Sequence, residues 1–317
     1  MQKKLVVEGN KSMNDITIVT SFFDIGRGEN EINNMSRSNE KYVEYFKTWA
    51  RIKNKIVIYT EKKMAEPLYN VRKEFGRQEE TQIVVVENMY SLFPDIFSKM
   101  KKIGNDENFL RFRYYDKAMS NQAKYCYLVF LQYWIIKDVV ERGLVEDQLA
   151  WIDLGFNHGL KYYTNPSEFN FYWRYSFGNK INCFTLTNPD DISIIDSLQF
   201  QKDCFMGGFI GMPKEKAVLL WDYIYEAEKA MLMLDCMDDD QHLLLMAYRA
   251  HPDDFLIKTC EWFEPLRLCG CENLSHRTTN KEKKKLVKTI KELIYVIIKG
   301  KHRDFLIRSY QRACKYH

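Results

Sequence analysis

The sequence predicts an α/β fold built on a mainly parallel sheet, on three observations. Runs rich in β-branched and aromatic residues at 16–23, 55–59 and 82–86 alternate with stretches of helical period. Units this short join parallel strands through crossover helices. A short apolar run at 149–152 ends in a solitary carboxylate, Asp153, and then turns through Gly155 and Gly159. Such a run reads as a buried central strand that delivers an acid to the crevice outside the strand ends. The alternative is that Asp153 caps a turn or the next helix. Finally, 317 residues at 46% apolar and 28% charged make a folded chain of one large or two ordinary domains, not a disordered one.

Residues 16–23 (ITIVTSFF) form the first strand, and Asp24-Ile25-Gly26-Arg27-Gly28 follows as a loop. Its glycines allow close backbone approach to a ligand and Arg27 can meet a phosphate; equally, the loop can be ordinary and Arg27 solvated. Tyr42, Val43, Phe46, Trp49 and Ala50 lie at helical spacing and predict a helix over 40–52. The second strand, 55–59, is followed by Thr60, a candidate N-cap for a helix reaching Phe75. The third strand is 82–86, and short helices with loops are expected over 91–113. A long helix over 121–142 buries Ala123, Cys126, Tyr127, Phe130, Leu131, Trp134, Ile135 and Val139, and Gly143 ends it.

After the Asp153 stretch, aromatic residues crowd into 162–177, either as core or as a platform for a sugar acceptor. Strands are expected at 182–187 and 205–212. The second contains Gly207-Gly208, which signals a bulge or a ligand pressed against backbone. A helix over 214–234 precedes Asp238-Asp239-Asp240-Gln241 and a further helical stretch, 242–248. Acids at a helix start are ordinary caps, but one cap needs one acid, not three.

Composition narrows the classes. The eight cysteines are scattered, with Cys269-Gly-Cys271 the one close pair, which fits a reducing cytosol and not a zinc site. No secretory signal is expected, and the apolar run at 125–136 is too short to span a bilayer. Residues 1–12 are expected to be a disordered extension, 13–275 the folded domain, and 276–317 a helical tail. That tail carries 13 Lys and Arg against 3 Asp and Glu. Leu286, Ile290, Leu293, Ile294 and Ile297 share one helical face within this basic surround. The pattern reads as an element on an anionic membrane surface, a helix docked on the domain, or a nucleic-acid patch; no nucleic-acid module signature accompanies it.

Taken in order, the Gly-Arg-Gly loop, the Trp-Ile-Asp strand end, the Gly-Gly strand and the Asp-Asp-Gln helix start resemble nucleotide-sugar-dependent glycosyltransferases of the GT-A type. More narrowly, Asp24 to Gly28, Ser36-Arg37, Tyr42 to Phe46, Ile56 to Thr60 and Trp151-Ile152-Asp153-Leu154-Gly155 look like the HtrL/YibB family of bacterial proteins, associated with surface-polysaccharide loci. The resemblance covers roughly residues 14–270 and excludes the tail. It implies a GT-A-like, Rossmann-like mixed sheet, mainly parallel and flanked by helices. It also implies transfer of a hexose from a nucleotide-diphosphate donor, a UDP-sugar foremost, to a glycan or lipid-linked glycan of the bacterial surface; the basic tail fits a lipid-linked acceptor at the inner face of the cell membrane.

The resemblance implies residue roles too. Thr20, Ser21 and Phe22 would face the base, and Gly26 and Arg27 the diphosphate, with Arg37 and Lys124 as further basic candidates. Asp153 would stand for the family's metal- and ribose-binding acids, holding Mn²⁺ or Mg²⁺. The usual motif is Asp-x-Asp, and here the third position is Gly155, so Asn157, His158 or a distant acid would have to complete the shell. Gly207 and Gly208 would let the donor sugar lie against backbone. If transfer inverts the sugar, Asp240, with Asp239 second, would be the base that takes the acceptor hydroxyl's proton. The alternative is a non-catalytic protein of the same fold that binds nucleotide or glycan in an envelope assembly complex.

Overall fold

A computed structural model describes residues 15–27, 37–114 and 118–277; the expected N-terminal extension and nearly all of the basic tail, with its membrane-surface reading, lie outside them. In chain order the elements are β1 (Ile16–Phe22), α1 (Asn39–Lys47), β2 (Ile56–Thr60), α2 (Lys62–Glu74), β3 (Thr81–Val85), α3 (Pro94–Gly104), α4 (Glu107–Phe112) and α5 (Ala123–Glu141). Then come β4 (Gln148–Ile152), β5 (Ile181–Thr185), α6 (Ile194–Phe200), β6 (Phe205–Pro213), α7 (Ala217–Met233), α8 (Asp240–Ala250), β7 (Phe255–Thr259) and α9 (Pro265–Leu268). Among the described residues no helix is long and apolar enough to cross a membrane.

The seven strands of the described residues form one sheet in the order β3-β2-β1-β4-β6-β5-β7. β1 pairs in parallel with both β2 and β4, while β6 runs antiparallel between β4 and β5. The chain winds outward from β1 through β2 to β3, then returns to place β4 on the other side of β1. That reversal is the switch point of an open α/β sheet, where the crevice for a ligand opens at the strand carboxyl ends. β1, β2 and β4 are buried along almost their whole length, as strands covered on both faces must be. Two buried clusters flank the sheet: one joins Val19, Trp151 and Ile210 to α5, α7 and α8, and the other joins Ile18, Phe209 and Trp173 to α1 and α2.

The mixed, mainly parallel sheet matches the expectation, with β6 the strand that reverses direction; other expectations change. β7 carried no recognised strand signal; it is an edge strand paired in parallel with β5 alone. Thr60 closes β2 instead of capping α2: its hydroxyl donates to Phe22 O at 2.7 Å, and Glu61 stands at the cap position. The aromatic run at 162–177 is largely core, with Tyr163, Phe169, Trp173 and Phe177 at 2% exposure or less, which removes it as an acceptor platform. The Gly207-Gly208 signal in β6 is a real irregularity. The pairing of β5 with β6 shifts between Cys183 and Thr185, matched to Ile210 and Phe205.

One buried group stands apart. Glu228, on α7, is fully buried and neither carboxylate oxygen has a hydrogen-bond partner. Burial pushes its pKa up to about 8, far above that of a solvated glutamate. The unfolded chain releases this proton near pH 4.5 and the folded chain holds it to about 8, so this group makes stability fall as pH rises through that window. Glu228→Met should therefore raise the unfolding free energy by roughly 1–3 kcal/mol at pH 7, and by more at pH 9. Denaturant melts at the two pH values check this.

Candidate functional site

One cavity of about 290 Å³ opens at the carboxyl ends of β1 and β4. Its lining includes Ser21, Phe22, Asp24, Arg27, Arg37, Tyr42, Tyr125, Gln132, Trp151, Asp153, His158, Gly207, Gly208, Asp240, Gln241, Trp262 and Phe263. The separated Gly-Arg, Trp-Ile-Asp, Gly-Gly and Asp-Asp-Gln pieces of the sequence therefore meet in one place.

The basic wall is built on the loop after β1. Asp24 makes this loop rigid: it accepts from Gly26 N at 2.8 Å, from Asn39 at 2.9 Å and from Lys63 at 2.7 Å. Those partners, Lys63 first, hold its pKa down at about 2. Gly26 takes φ +80°, which a side chain would strain. The turn presents Arg27, whose Nη1 donates to the Tyr42 hydroxyl at 2.6 Å and whose guanidinium lies over the Tyr125 ring. Arg37 Nη1 lies 3.3 Å from His158 Nε2; a guanidinium only donates, so Nε2 is the acceptor. Burial first, then Arg37, press the His158 pKa down to about 3. His158 is thus a neutral ring, stacked on Tyr45 and edge-on to Phe263, not a surface residue. Among the described residues neither guanidinium lies in salt-bridge contact with a carboxylate.

The acidic wall comes from three elements. Asp153 follows β4, and its Oδ1 accepts from Gly155 N at 2.6 Å. Solvent reaches it through the cavity, yet protein surrounds it; this burial raises its pKa against the pull of the Gly155 N–H, Arg27 and Arg37. Asp240 opens α8 and is buried beside Gln132. Burial above all, with Asp153 adding, lifts its pKa to about 7. A Cβ on Gly207 would fall 1.2 Å from Asp240 Oδ2, so the space that this glycine leaves is filled by the carboxylate of Asp240. Gly208 faces Asp153, whose Cβ would lie 3.6 Å from an added methyl group.

Several expected site residues sit elsewhere. Thr20 is fully buried within β1, and only Ser21 and Phe22 of that group reach the cavity. Lys124 is exposed on the first turn of α5; the residues of that helix that line the cavity are Tyr125, Leu128, Val129 and Gln132. Asp239 is the N-cap of α8, accepting from Gln241 N at 3.1 Å, and it does not line the cavity. Asn157 is fully buried; it accepts from Tyr162 N and Tyr163 N and donates to Tyr163 O, so its amide has no place in a ligand shell.

Carboxylate oxygens suit Mg²⁺ or Mn²⁺, and two places offer them. Asp238, Asp239 and His242 bring ligand atoms within 4.8 Å of one another. There, however, Asp238 is already paired with the buried guanidinium of Arg113 at 2.6 Å. His242 Nδ1 lies 3.0 Å from Asp238 Oδ2 but out of line for a hydrogen bond. The cluster thus holds a buried charge pair with Asp239 half-buried beside it, and none of its three residues lines the cavity. Asp153 is reached from the cavity, and among the described residues none donates a hydrogen bond to its Oδ2.

The fold and site together define a class: an open, mixed α/β protein with a ligand cavity at the switch point of its sheet, acidic on one wall and cationic on the other. The chain belongs to the HtrL_YibB family, described as bacterial protein of unknown function, whose pattern matches residues 14–271. It is 28% identical over 274 residues to Protein HtrL of Escherichia coli K12, covering 79% of this chain and 91% of that one. Among solved structures it is similar to mouse xyloside xylosyltransferase 1 in its apo form (TM-score 0.43, 13% identity, 80% of this chain and 90% of that one). It is also similar to the PaToxG glycosyltransferase (TM-score 0.34, 12% identity, 75% and 70%). A third likeness is to 4-diphosphocytidyl-2C-methyl-D-erythritol synthase of Anaerococcus prevotii (TM-score 0.36, 11% identity, 85% and 93%).

Two outcomes test this geometry. Gly207→Ala should cost roughly 1–3 kcal/mol, because Asp240 must give way, while Gly208→Ala stays within about 0.5 kcal/mol of wild type. Thermal melts of the pair measure the contrast. Asp240 keeps its proton to about pH 7 when folded but loses it near 3.8 when unfolded, so its burial destabilises increasingly between those values. Asp240→Asn should therefore melt higher than wild type at pH 8, with the gap closing towards pH 4.

Proposed function

We propose that this protein is a GT-A-like glycosyltransferase that moves a hexose from a nucleotide-diphosphate sugar, a UDP-sugar foremost, to a hydroxyl of a bacterial surface glycan. The observation that carries the reading is the meeting of Arg27, Arg37, Asp153 and Asp240 in one cavity at the switch point of the sheet. A nucleotide diphosphate needs positive charge and the reacting hydroxyl needs a base, and the two walls supply them separately.

Arg27 and Arg37, neither in salt-bridge contact with a carboxylate among the described residues, are set to receive the diphosphate. Their charge stabilises the leaving group as the glycosidic bond breaks. Tyr42 and His158 hold the two guanidiniums in place. Asp153 would hold a divalent cation, which when bound adds Lewis-acid neutralisation of the same phosphates. Asp240 is suited to accept the proton of the attacking hydroxyl. Its pKa of about 7 makes it a strong enough base while leaving a working ionised fraction at neutral pH. Ser21 and Phe22 at the end of β1 would flank the nucleotide, and Gly208 would let the sugar approach the β6 backbone.

The second reading is a protein that binds but does not transfer. It is favoured by Gly155, which leaves Asp153 as the one acid of its motif; a Cβ there would meet Tyr42 at 3.2 Å, so an added side chain would crowd that ring.

Calorimetric titration with UDP, with and without Mn²⁺, separates the possibilities. The proposal expects binding that weakens at least tenfold in Arg27→Ala and in Arg37→Ala. Asp240→Asn should keep UDP affinity and lose donor turnover by roughly 10²–10⁴-fold. Absence of nucleoside diphosphate binding in both conditions contradicts the proposal. Binding without turnover of any sugar nucleotide, unaltered in Asp240→Asn, favours the second reading.

A further inference from the structure

The walls described above leave one large apolar surface of the cavity without a role. Trp262 lines the cavity yet is 39% exposed, whereas the aromatic residues of 162–177, the other candidates for carrying a sugar, are mostly packed into the core. A half-exposed tryptophan on the rim of a polar cavity is a flat apolar plate facing solvent. Resting on the glycosyltransferase reading, we propose that Trp262 is the stacking platform of an acceptor subsite, which binds the apolar C–H face of a sugar ring.

The topology places it on the acceptor side. β5 is antiparallel to β6, which is antiparallel to β4, so β5 points the same way as β4, and β7 lies parallel to β5. The carboxyl end of β7 therefore faces the same edge of the sheet as the ends of β1 and β4. β7 is four strand positions from β1, roughly 19 Å at the usual strand spacing, with β4, which ends at Asp153, and β6, which carries Gly207-Gly208, between them. Trp262 stands in the turn after β7, whose next residue, Phe263, reaches back to His158. A nucleotide held at Ser21, Phe22 and Arg27 leaves the β7 side of the cavity for the molecule that attacks.

The platform is also built, not loose. Cys260 N donates to Thr185 O at 2.9 Å, and Glu261 N to Glu264 Oε2 at 3.0 Å, which closes the turn that carries Trp262. The next residue, Phe263, is buried edge-on against Phe156 and His158, with centroid separations of 5.7 and 5.1 Å. The half-exposed indole thus stands on a fixed support, and ordering it costs little entropy on binding.

The probe is a pair of simple glycosides, methyl β-glucoside and methyl β-galactoside, added to the full chain labelled with ¹⁵N at tryptophan. Trp262→Phe assigns the Trp262 indole signal. The expectation is that a glycoside shifts this signal, that Trp262→Ala weakens glycoside binding roughly tenfold, and that Trp262→Phe keeps a substantial part of it. UDP affinity should be unchanged in both variants. If UDP shifts the Trp262 signal and loses affinity in Trp262→Ala, the ring stacks on the nucleotide base and the acceptor assignment is overturned. If neither probe moves the signal while UDP binds at the arginines, the glycosyltransferase reading stands and the Trp262 subsite falls. Loss of all UDP binding by wild type overturns the reading beneath both.

Discussion

The carboxylate of Asp240 occupies the volume that a side chain at position 207 would fill, and the site depends on that contact. It fixes the start of α8 against the bulge of β6. It also sets an acid beside Asp153, which is anchored to β4 next door. Behind it the sealed pair of Arg113 and Asp238 ties the stretch before α8 to Ser120, Asn121 and Leu198. Tyr133, on α5, donates to the backbone carbonyl of Asp240 at 3.2 Å. The acid is thus held from behind by hydrogen bonds and from below by the lack of a side chain. Breaking a buried pair such as Arg113–Asp238 leaves an uncompensated charge, so the local conformation is strongly determined.

Charge is divided along the cavity by the same economy of position. Two guanidiniums stand near the end of β1, steadied by a phenol and a neutral imidazole that compete with no anion for them. Two acids with raised pKa values stand at β4 and α8. The acidic wall is locally unfavourable: two carboxylates stand near one another and protein surrounds them. Such strain is typical of functional sites, where stability is given up for pre-organisation.

Much of this could be read from the residues. β-branched runs gave β1 and β2, and the stripe of Cys126, Phe130 and Val139 gave α5. The apolar run stopping at Asp153 gave the central strand and its acid. The Gly pair correctly signalled a bulge, but the reason for it was out of reach, since the partner that fills the space of Gly207 lies 33 positions later. Direction of pairing was equally hidden: nothing in β6 itself distinguishes antiparallel from parallel. Thr20 and Ser21 differ by one position, and only the alternation of faces and the end of the strand decide which is buried. Asp238, Asp239 and Asp240 look alike in sequence; one is neutralised by Arg113, one caps a helix, and one reaches the cavity. Trp262 was missed because it follows a short, half-exposed edge strand whose periodic signal is weak.

The most direct test of the central claim is a crystal structure of the protein soaked with a non-hydrolysable UDP-hexose analogue and Mn²⁺. The account predicts phosphate oxygens within hydrogen-bonding distance of Arg27 and Arg37, the cation on Asp153, and the anomeric carbon facing the Asp240 side of the cavity. A sugar nucleotide bound elsewhere on the surface, or bound here with its phosphates turned to the acids, contradicts it.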